Sequence, residues 1–296
     1  MESIPLLARL AKMFPEAKKT TLREMVERKR VRINGALARS VKTAVGENDR
    51  VVVADTAAAE VTVVKLAEGL RVVYFDADIV VVEKPAGLLT STDETEKRPT
   101  VWRILIEHFR RQNAKHRVYL VHRLDRDASG LLVFARTREA LSSLKRQFFE
   151  HTVTRRYDAM LHGVPRPAAG RLERLLVEHP HTGVMSLTLD EKKGKLASLN
   201  YTTVRADAAR GISHVQCVLF TGRKHQIRVL MKSIGHAVCG DPVYGIADEP
   251  PGRLALHAGH LAIEHPGKGK RMVWDSPMPG SFGHMFQAPP AAPRPR

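Results

Sequence analysis

At 296 residues and 43% hydrophobic composition, the chain is long enough to bury a sizeable core and to hold two domains. Lys and Arg exceed Asp and Glu by 17, an excess that attracts polyanions, nucleic acid first among them. No apolar run of about 18 residues is present to span a bilayer, so no membrane partner is expected. The only two cysteines, Cys217 and Cys239, lack metal-ligand spacing and sit in apolar surroundings, so they read as buried free thiols of a reducing compartment. The start Met1-Glu2-Ser3-Ile4-Pro5 has no basic region followed by an apolar stretch, so no secretory signal is expected and cytoplasmic residence follows.

Leu6, Leu7, Leu10, Met13 and Phe14 recur at helical spacing, as do Leu22, Met25 and Val26, with Pro15 separating the two segments. Val31-Arg32-Ile33 then alternates into Asn34-Gly35, a hairpin turn signal, and Arg50-Val51-Val52-Val53 reads as a strand. Helix, helix and short strands over residues 1–55 resemble the small RNA-binding domain first seen in ribosomal protein S-four. Arg28, Lys29 and Arg30 cluster there; a charge run on a helix is usually a solvated face, but the adjoining hairpin and the overall charge favour phosphate contact. Residues 56–70, with Ala57-Ala58-Ala59, read as a linker. From residue 71 to 285, β-rich runs mix with two helical stretches, Thr100–Gln112 and Thr137–Glu150, the second capped by Thr137. Strands without regular strand-helix alternation predict an α+β fold: a large domain built on a mainly antiparallel mixed β-sheet with flanking helices, plus a small N-terminal α/β domain. The Pro/Ala-rich stretch 286–296 cannot pack a core and is expected to be a disordered tail.

The most informative stretch is Val121-His122-Arg123-Leu124-Asp125-Arg126-Asp127-Ala128-Ser129-Gly130-Leu131. It is a polar loop between two β-prone runs and carries no short turn signal, the kind of place where a scaffold presents chemistry. The bland reading is a solvated loop whose arginines and aspartates pair with one another. His122-Arg123-Leu124-Asp125 with Ser129-Gly130-Leu131-Leu132 resembles the catalytic loop of the RluA-type pseudouridine synthases. Further blocks follow in that family's order: Ile79 to Leu88 with Glu83-Lys84-Pro85, Arg155-Arg156-Tyr157-Asp158-Ala159, Thr221 to Val229, Gly235-His236 through Gly240-Asp241-Pro242-Val243-Tyr244-Gly245, and Leu254 to Ala258. Ala128 departs from the family's usual threonine, and Thr90 to Pro99 does not resemble its usual continuation.

The resemblance implies isomerisation of uridine to pseudouridine in RNA, with no cofactor and no metal. Ribosomal RNA of the large subunit is the favoured substrate, transfer RNA a possible one, and a monomer the plain expectation. It implies Asp125 as the essential carboxylate, Arg228 as its cationic partner and Tyr157 as the ring that stacks on an extruded base. A desolvated carboxylate tends to protonate unless a cation is near, and arginine stays charged at any working pH. Arg123 is the residue expected to enter the place of the flipped nucleotide, since extrusion costs a few kcal/mol that a replacement side chain offsets in part. His122, Lys84, Arg223, Lys224 and His225 are further expected substrate contacts, the basic ones holding phosphates near the cleft. For each of them, solvated surface charge is the competing reading. Two rivals stand beside the enzyme: a non-catalytic RNA-binding or ribosome-assembly factor on the same scaffold, and a DNA-binding protein. The second lacks a recognition helix or zinc module.

Overall fold

The computed structural model describes residues 3–27, 31–33, 36–38, 40–46, 49, 51–53, 64–92, 98–246 and 249–287. The chain divides into two compact units, Met1–Val63 and Val64–Arg296.

In the first unit, β1 (Ile4–Pro5), α1 (Leu6–Met13), α2 (Lys19–Glu27), β2 (Val31–Ile33), β3 (Ala36–Leu37), β4 (Ala44–Val45) and β5 (Val51–Val53) follow in order. Leu6 and Leu10 lie four apart on α1, and Leu22, Met25 and Val26 share one face of α2, so both helices bury a stripe together with Val31 and Val45. β3, β2 and β5 form an antiparallel sheet, and β1 pairs with β4. Arg28, Lys29, Arg30, Asn34 and Gly35 lie outside the described residues.

The second unit runs β6 (Val64–Lys65), β7 (Arg71–Phe75), β8 (Ile79–Lys84), α3 (Val101–Gln112), β9 (Tyr119–Leu120), β10 (Ser129–Ala135), α4 (Arg138–Phe149), β11 (Thr154–His162), β12 (Ala169–Glu178), β13 (Met185–Thr188), β14 (Lys195–Asp207), β15 (Ile212–Leu219), α5 (Gln226–Ser233), β16 (Leu256–Glu264), β17 (Arg271–Asp275) and α6 (Gly280–His284). Among the described residues its strands form one sheet in the order β13-β12-β14-β15-β11-β16-β10-β8-β7-β6, with β17 beside β16 and β9 beside β10. The α+β fold with a mainly antiparallel sheet is therefore observed, and it is mixed by one contact. β10 pairs with β16 in parallel, through Ser129 opposite His257 and Gly130 opposite Ala258.

Every residue of β10 is buried, so both faces of this central strand are covered, α4 packing against it; hence its unbroken Gly-Leu-Leu-Val-Phe-Ala run. Both central helices start at capping threonines. Thr100 Oγ1 accepts from Arg103 N at 3.2 Å and Thr137 Oγ1 from Ala140 N at 3.0 Å.

Two boundaries differ from the sequence reading. Val64–Lys65 pairs with β7, so the last part of the expected linker belongs to the sheet. Phe286, assigned to the tail, is buried in the core with the Arg205 guanidinium 4.1 Å from its ring centroid. Residues 288–296 lie outside the described residues.

Gly130 fits its place because it has no side chain: its φ is +112°, and a Cβ would come 2.3 Å from the Ala258 carbonyl oxygen. Gly130→Ala is expected to cost about 2 kcal/mol or more, read as a lower urea midpoint, since backbone strain and a backbone clash add.

Candidate active site

Asp125 lies in the loop between β9 and β10, and the backbone on either side of it is fixed by buried polar groups. Thr90 Oγ1 donates to Leu124 O at 2.9 Å and accepts from Leu124 N at 3.1 Å. Lys84 Nζ donates to Arg126 O and Leu88 O, each at 2.7 Å, and to Pro85 O at 2.9 Å. Gly87 N donates to the same Arg126 carbonyl at 2.9 Å. Lys84 is thereby corrected: it is 0% exposed and spends its ammonium on three carbonyls, so it braces the loop and cannot reach a phosphate. Burial pushes its pKa down to about 7, with the Arg253 charge adding to the fall and the carboxylates of Asp127 and Asp125 opposing it.

The carboxylate of Asp125 is 22% exposed and its Oδ2 lies 3.3 Å from Arg228 Nη1. Arg228 projects from α5, in its first turn, and is shared. Its Nε and Nη2 reach Asp241 Oδ2 and Oδ1, both at 2.7 Å, in a buried two-pronged pair. Asp241 Oδ1 also accepts from the amides of Val243 at 2.9 Å and Tyr244 at 3.0 Å. The ring of Tyr244 lies 4.9 Å from the guanidinium carbon. Burial opposes ionisation of Asp241, but the bonds and charge of Arg228 and the two amides outweigh it and hold the carboxyl below its ordinary range. For Arg228 the two carboxylates likewise outweigh burial and hold the guanidinium charged.

Asp125 lies in the wall of a cavity of about 490 Å³ that Tyr157, His122, Arg155, Phe148 and Arg123 also line, and Arg228 supports it from behind that wall. That size suits a small-molecule site, roughly 300–1,000 Å³. Tyr157, on β11, has its pKa raised by burial first; Arg155 works to lower it and Asp125 to raise it. His122 stacks on Phe148 with ring centroids 4.6 Å apart, and its Nε2 accepts from Val133 N at 3.1 Å, which leaves the proton on Nδ1. Burial, with help from Arg155, pushes the imidazole down to about 3.

Between pH 6.5 and about 3 the unfolded chain thus binds a proton at His122 that the folded chain refuses. Its contribution is complete above pH 6.5 and is lost as pH falls. His122→Gln, which still accepts from Val133, is expected to show a smaller drop in urea midpoint than wild type between pH 7 and pH 5.

At the rim Arg123 and Arg223 are exposed, and His225 Nδ1 lies 2.8 Å from the Tyr244 hydroxyl. Lys224 is paired with Glu178 at 2.6 Å and is not part of the cavity wall. Asp127 pairs with Arg126 rather than Arg123, through bonds of 2.9 and 3.1 Å. Folding thus brings Asp125, Arg228, Tyr157, His122, Arg123, Arg223 and His225 to one cavity or its immediate support, and leaves out Lys84 and Lys224. Arg28, Lys29 and Arg30 lie outside the described residues.

Sequence reasoning missed Asp241, Thr90 and Arg155. Asp241 stood inside the quoted Gly240–Gly245 block and reads there as a turn residue. Thr90 fell in the stretch that departs from the family pattern, so nothing marked it. The histidines show no metal-ligand pattern in sequence, yet folding places ligand-type atoms of His162, Cys239 and Glu249 within 4.8 Å of one another. Glu249 Oε1 there binds His162 Nε2 at 2.6 Å and the amide of Gly240 at 2.8 Å.

Comparison with known proteins gives one consistent result. Residues 78–233 match the family model described as RNA pseudouridylate synthase. Over 94% of its length the chain is 34% identical to the ribosomal large subunit pseudouridine synthase D of Nitrosomonas europaea, covering 82% of that protein. It is 32% identical to the protein of the same name from Pseudomonas aeruginosa over 92% of this chain and 88% of the relative. Among solved structures, the human protein described as RNA pseudouridylate synthase domain containing 1 superposes with a TM-score of 0.57 at 26% identity, over 71% of this chain and 84% of that one. The human protein described as RNA pseudouridylate synthase domain containing 4 shares the fold, with a TM-score of 0.60 at 20% identity over 73% and 91%.

Proposed function

The chain belongs to the RNA pseudouridylate synthase family, and we propose that it isomerises specific uridines of large-subunit ribosomal RNA to pseudouridine through Asp125. The observation that carries the assignment of Asp125 is its carboxylate at the cavity wall, beside a guanidinium that a second, buried carboxylate holds in place.

A uridine inside a helix exposes neither C1′ nor C5 to such a cavity, so the nucleotide must turn out of the stack. The bond from C1′ to N1 breaks with its electron pair leaving on the uracil ring. Asp125 meets the positive charge that develops at C1′, as nucleophile or as counter-charge. The ring turns, C5 bonds to C1′, the C5 proton departs and N1 gains one. Atoms and electrons balance without an oxidant or a group donor. Tyr157 supplies a face for the base, Arg228 keeps the carboxylate oriented, and Arg123 at the rim takes the place the nucleotide leaves. The protein acts as a monomer in the cytoplasm. A non-catalytic RNA-binding factor on the same scaffold is not favoured, since relatives over more than nine-tenths of the chain are named as pseudouridine synthases.

RNA tritiated at uracil C5 tests the reading. Release of tritium from large-subunit ribosomal RNA is expected, together with loss of mapped pseudouridines when the gene is deleted. No release from any ribosomal RNA fraction would sink it.

The unit Met1–Val63 is proposed to hold RNA rather than to do chemistry. Its removal is expected to weaken binding or change site choice more than it slows turnover of a short target. Affinity of the full chain should fall with log salt by about 0.7 per single-strand phosphate contacted, measured by filter binding.

A further inference from the structure

Arg155 is the cavity cation that no role yet explains. It is 8% exposed, on β11 two residues before Tyr157, and it forms part of the cavity wall. Its polar contact is weak, Nη2 to Thr221 O at 3.3 Å, and its buried Nε has no hydrogen-bond partner. The Phe148 ring lies 5.2 Å from its guanidinium carbon, and the bare backbone of Gly222 makes room for it, since a Cβ there would sit 2.8 Å from Nη1. A buried donor group left without acceptors is costly, and a guanidinium carries five N–H bonds. The neighbouring cations are differently placed: Arg228 lies behind the cavity wall, committed to Asp241 and Asp125, while Arg123 and Arg223 stand exposed at the rim.

Burial decides what can reach Arg155. A backbone phosphate stays outside with the strand, where the rim arginines are. Only the part of the substrate that enters the cavity can meet a side chain at its wall, and that part is the extruded base. A guanidinium only donates, so on uracil it must find the carbonyl oxygens O2 or O4.

We propose that Arg155 binds a carbonyl oxygen of the extruded uracil and stabilises the negative charge that reaches the ring when the bond to C1′ breaks. This rests on the isomerase reading above and adds to it the residue that receives the leaving base. The electron pair released from C1′ spreads over N1 and both carbonyl oxygens, and a positive group already in place there lowers the barrier to cleavage.

An RNA oligomer spanning the mapped site, made with uridine, 2-thiouridine or 4-thiouridine at the target, tests this. Single-turnover rates are measured for wild type, Arg155→Lys and Arg155→Met by nuclease digestion and chromatography. Sulfur accepts hydrogen bonds more weakly than oxygen, so one thio RNA is expected to slow wild type about tenfold. In Arg155→Met that penalty should shrink to less than about twofold, with Arg155→Lys between, because the contact is already gone. RNA affinity should stay within about threefold of wild type. Equal thio penalties in wild type and Arg155→Met would overturn the contact, as would no penalty with either thio RNA. A fall in affinity with a salt slope lowered by about one would mark a phosphate contact and overturn it too. Arg155→Lys keeps charge and stem should the methionine variant fold poorly. Wild-type turnover of the uridine RNA is the arm on which the isomerase reading itself stands, so the two failures are distinguishable.

Discussion

Asp125→Asn is expected to abolish tritium release, a loss of more than about 10³-fold, while RNA affinity and the urea midpoint stay near wild type. The amide is nearly the shape of the carboxylate and its site is partly open, so the fold loses little. It carries no charge for C1′ and cannot act as a nucleophile there. The bond to Arg228 is the longest of that guanidinium's three, at 3.3 Å against 2.7 Å for both bonds to Asp241, so the arginine stays where it is when Asp125 is neutralised. A variant that kept more than a tenth of wild-type release would remove Asp125 from the chemistry.

Asp241 governs the same guanidinium from behind, and the second large effect follows. Asp241→Leu leaves Arg228 buried with its main partner gone, which is expected to cost roughly 3–5 kcal/mol in urea unfolding and to lower activity steeply. Adding Arg228→Met removes the stranded charge, so the double variant should regain most of the stability and none of the activity. Separate recovery of the two properties would show that the buried pair positions the catalytic group. If stability and activity rose together in the double variant, Asp241 would be a packing residue only. Because the folded carboxyl of Asp241 is held below its ordinary range, its contribution is present above that range and is lost on acidification through the folded value.

How much of this was legible beforehand depended on distance along the chain. The loop around Asp125 was visible because a polar stretch between two apolar β-prone runs has no turn chemistry to excuse it. α3 and α4 were visible from periodicity and from Thr100 and Thr137 at their starts. Arg228 was found through resemblance, since no local pattern ties it to a carboxylate 103 positions earlier. Lys84 was misread for a physical reason. A lysine beside a proline after a β-run looks like surface charge, and the carbonyls of residues 85, 88 and 126 converge on it only after folding. Asp241 looked like an ordinary turn residue between Gly240 and Pro242. The parallel contact of β10 with β16 escaped because alternation in a strand reports which faces are covered and says nothing about the direction of its neighbour.

That same contact has a bearing on synthesis. Ser129 Oγ meets His257 Nδ1 at 2.8 Å across 128 positions, and the strand carrying His257 lies between β11 and β10. A nascent polypeptide that has emerged only as far as α5 already holds Asp125, Tyr157 and Arg228, yet lacks the strand that joins the halves carrying them. Premature-stop fragments ending before Glu264 should therefore be inert, and modification of RNA should begin only once β16 has been made and paired.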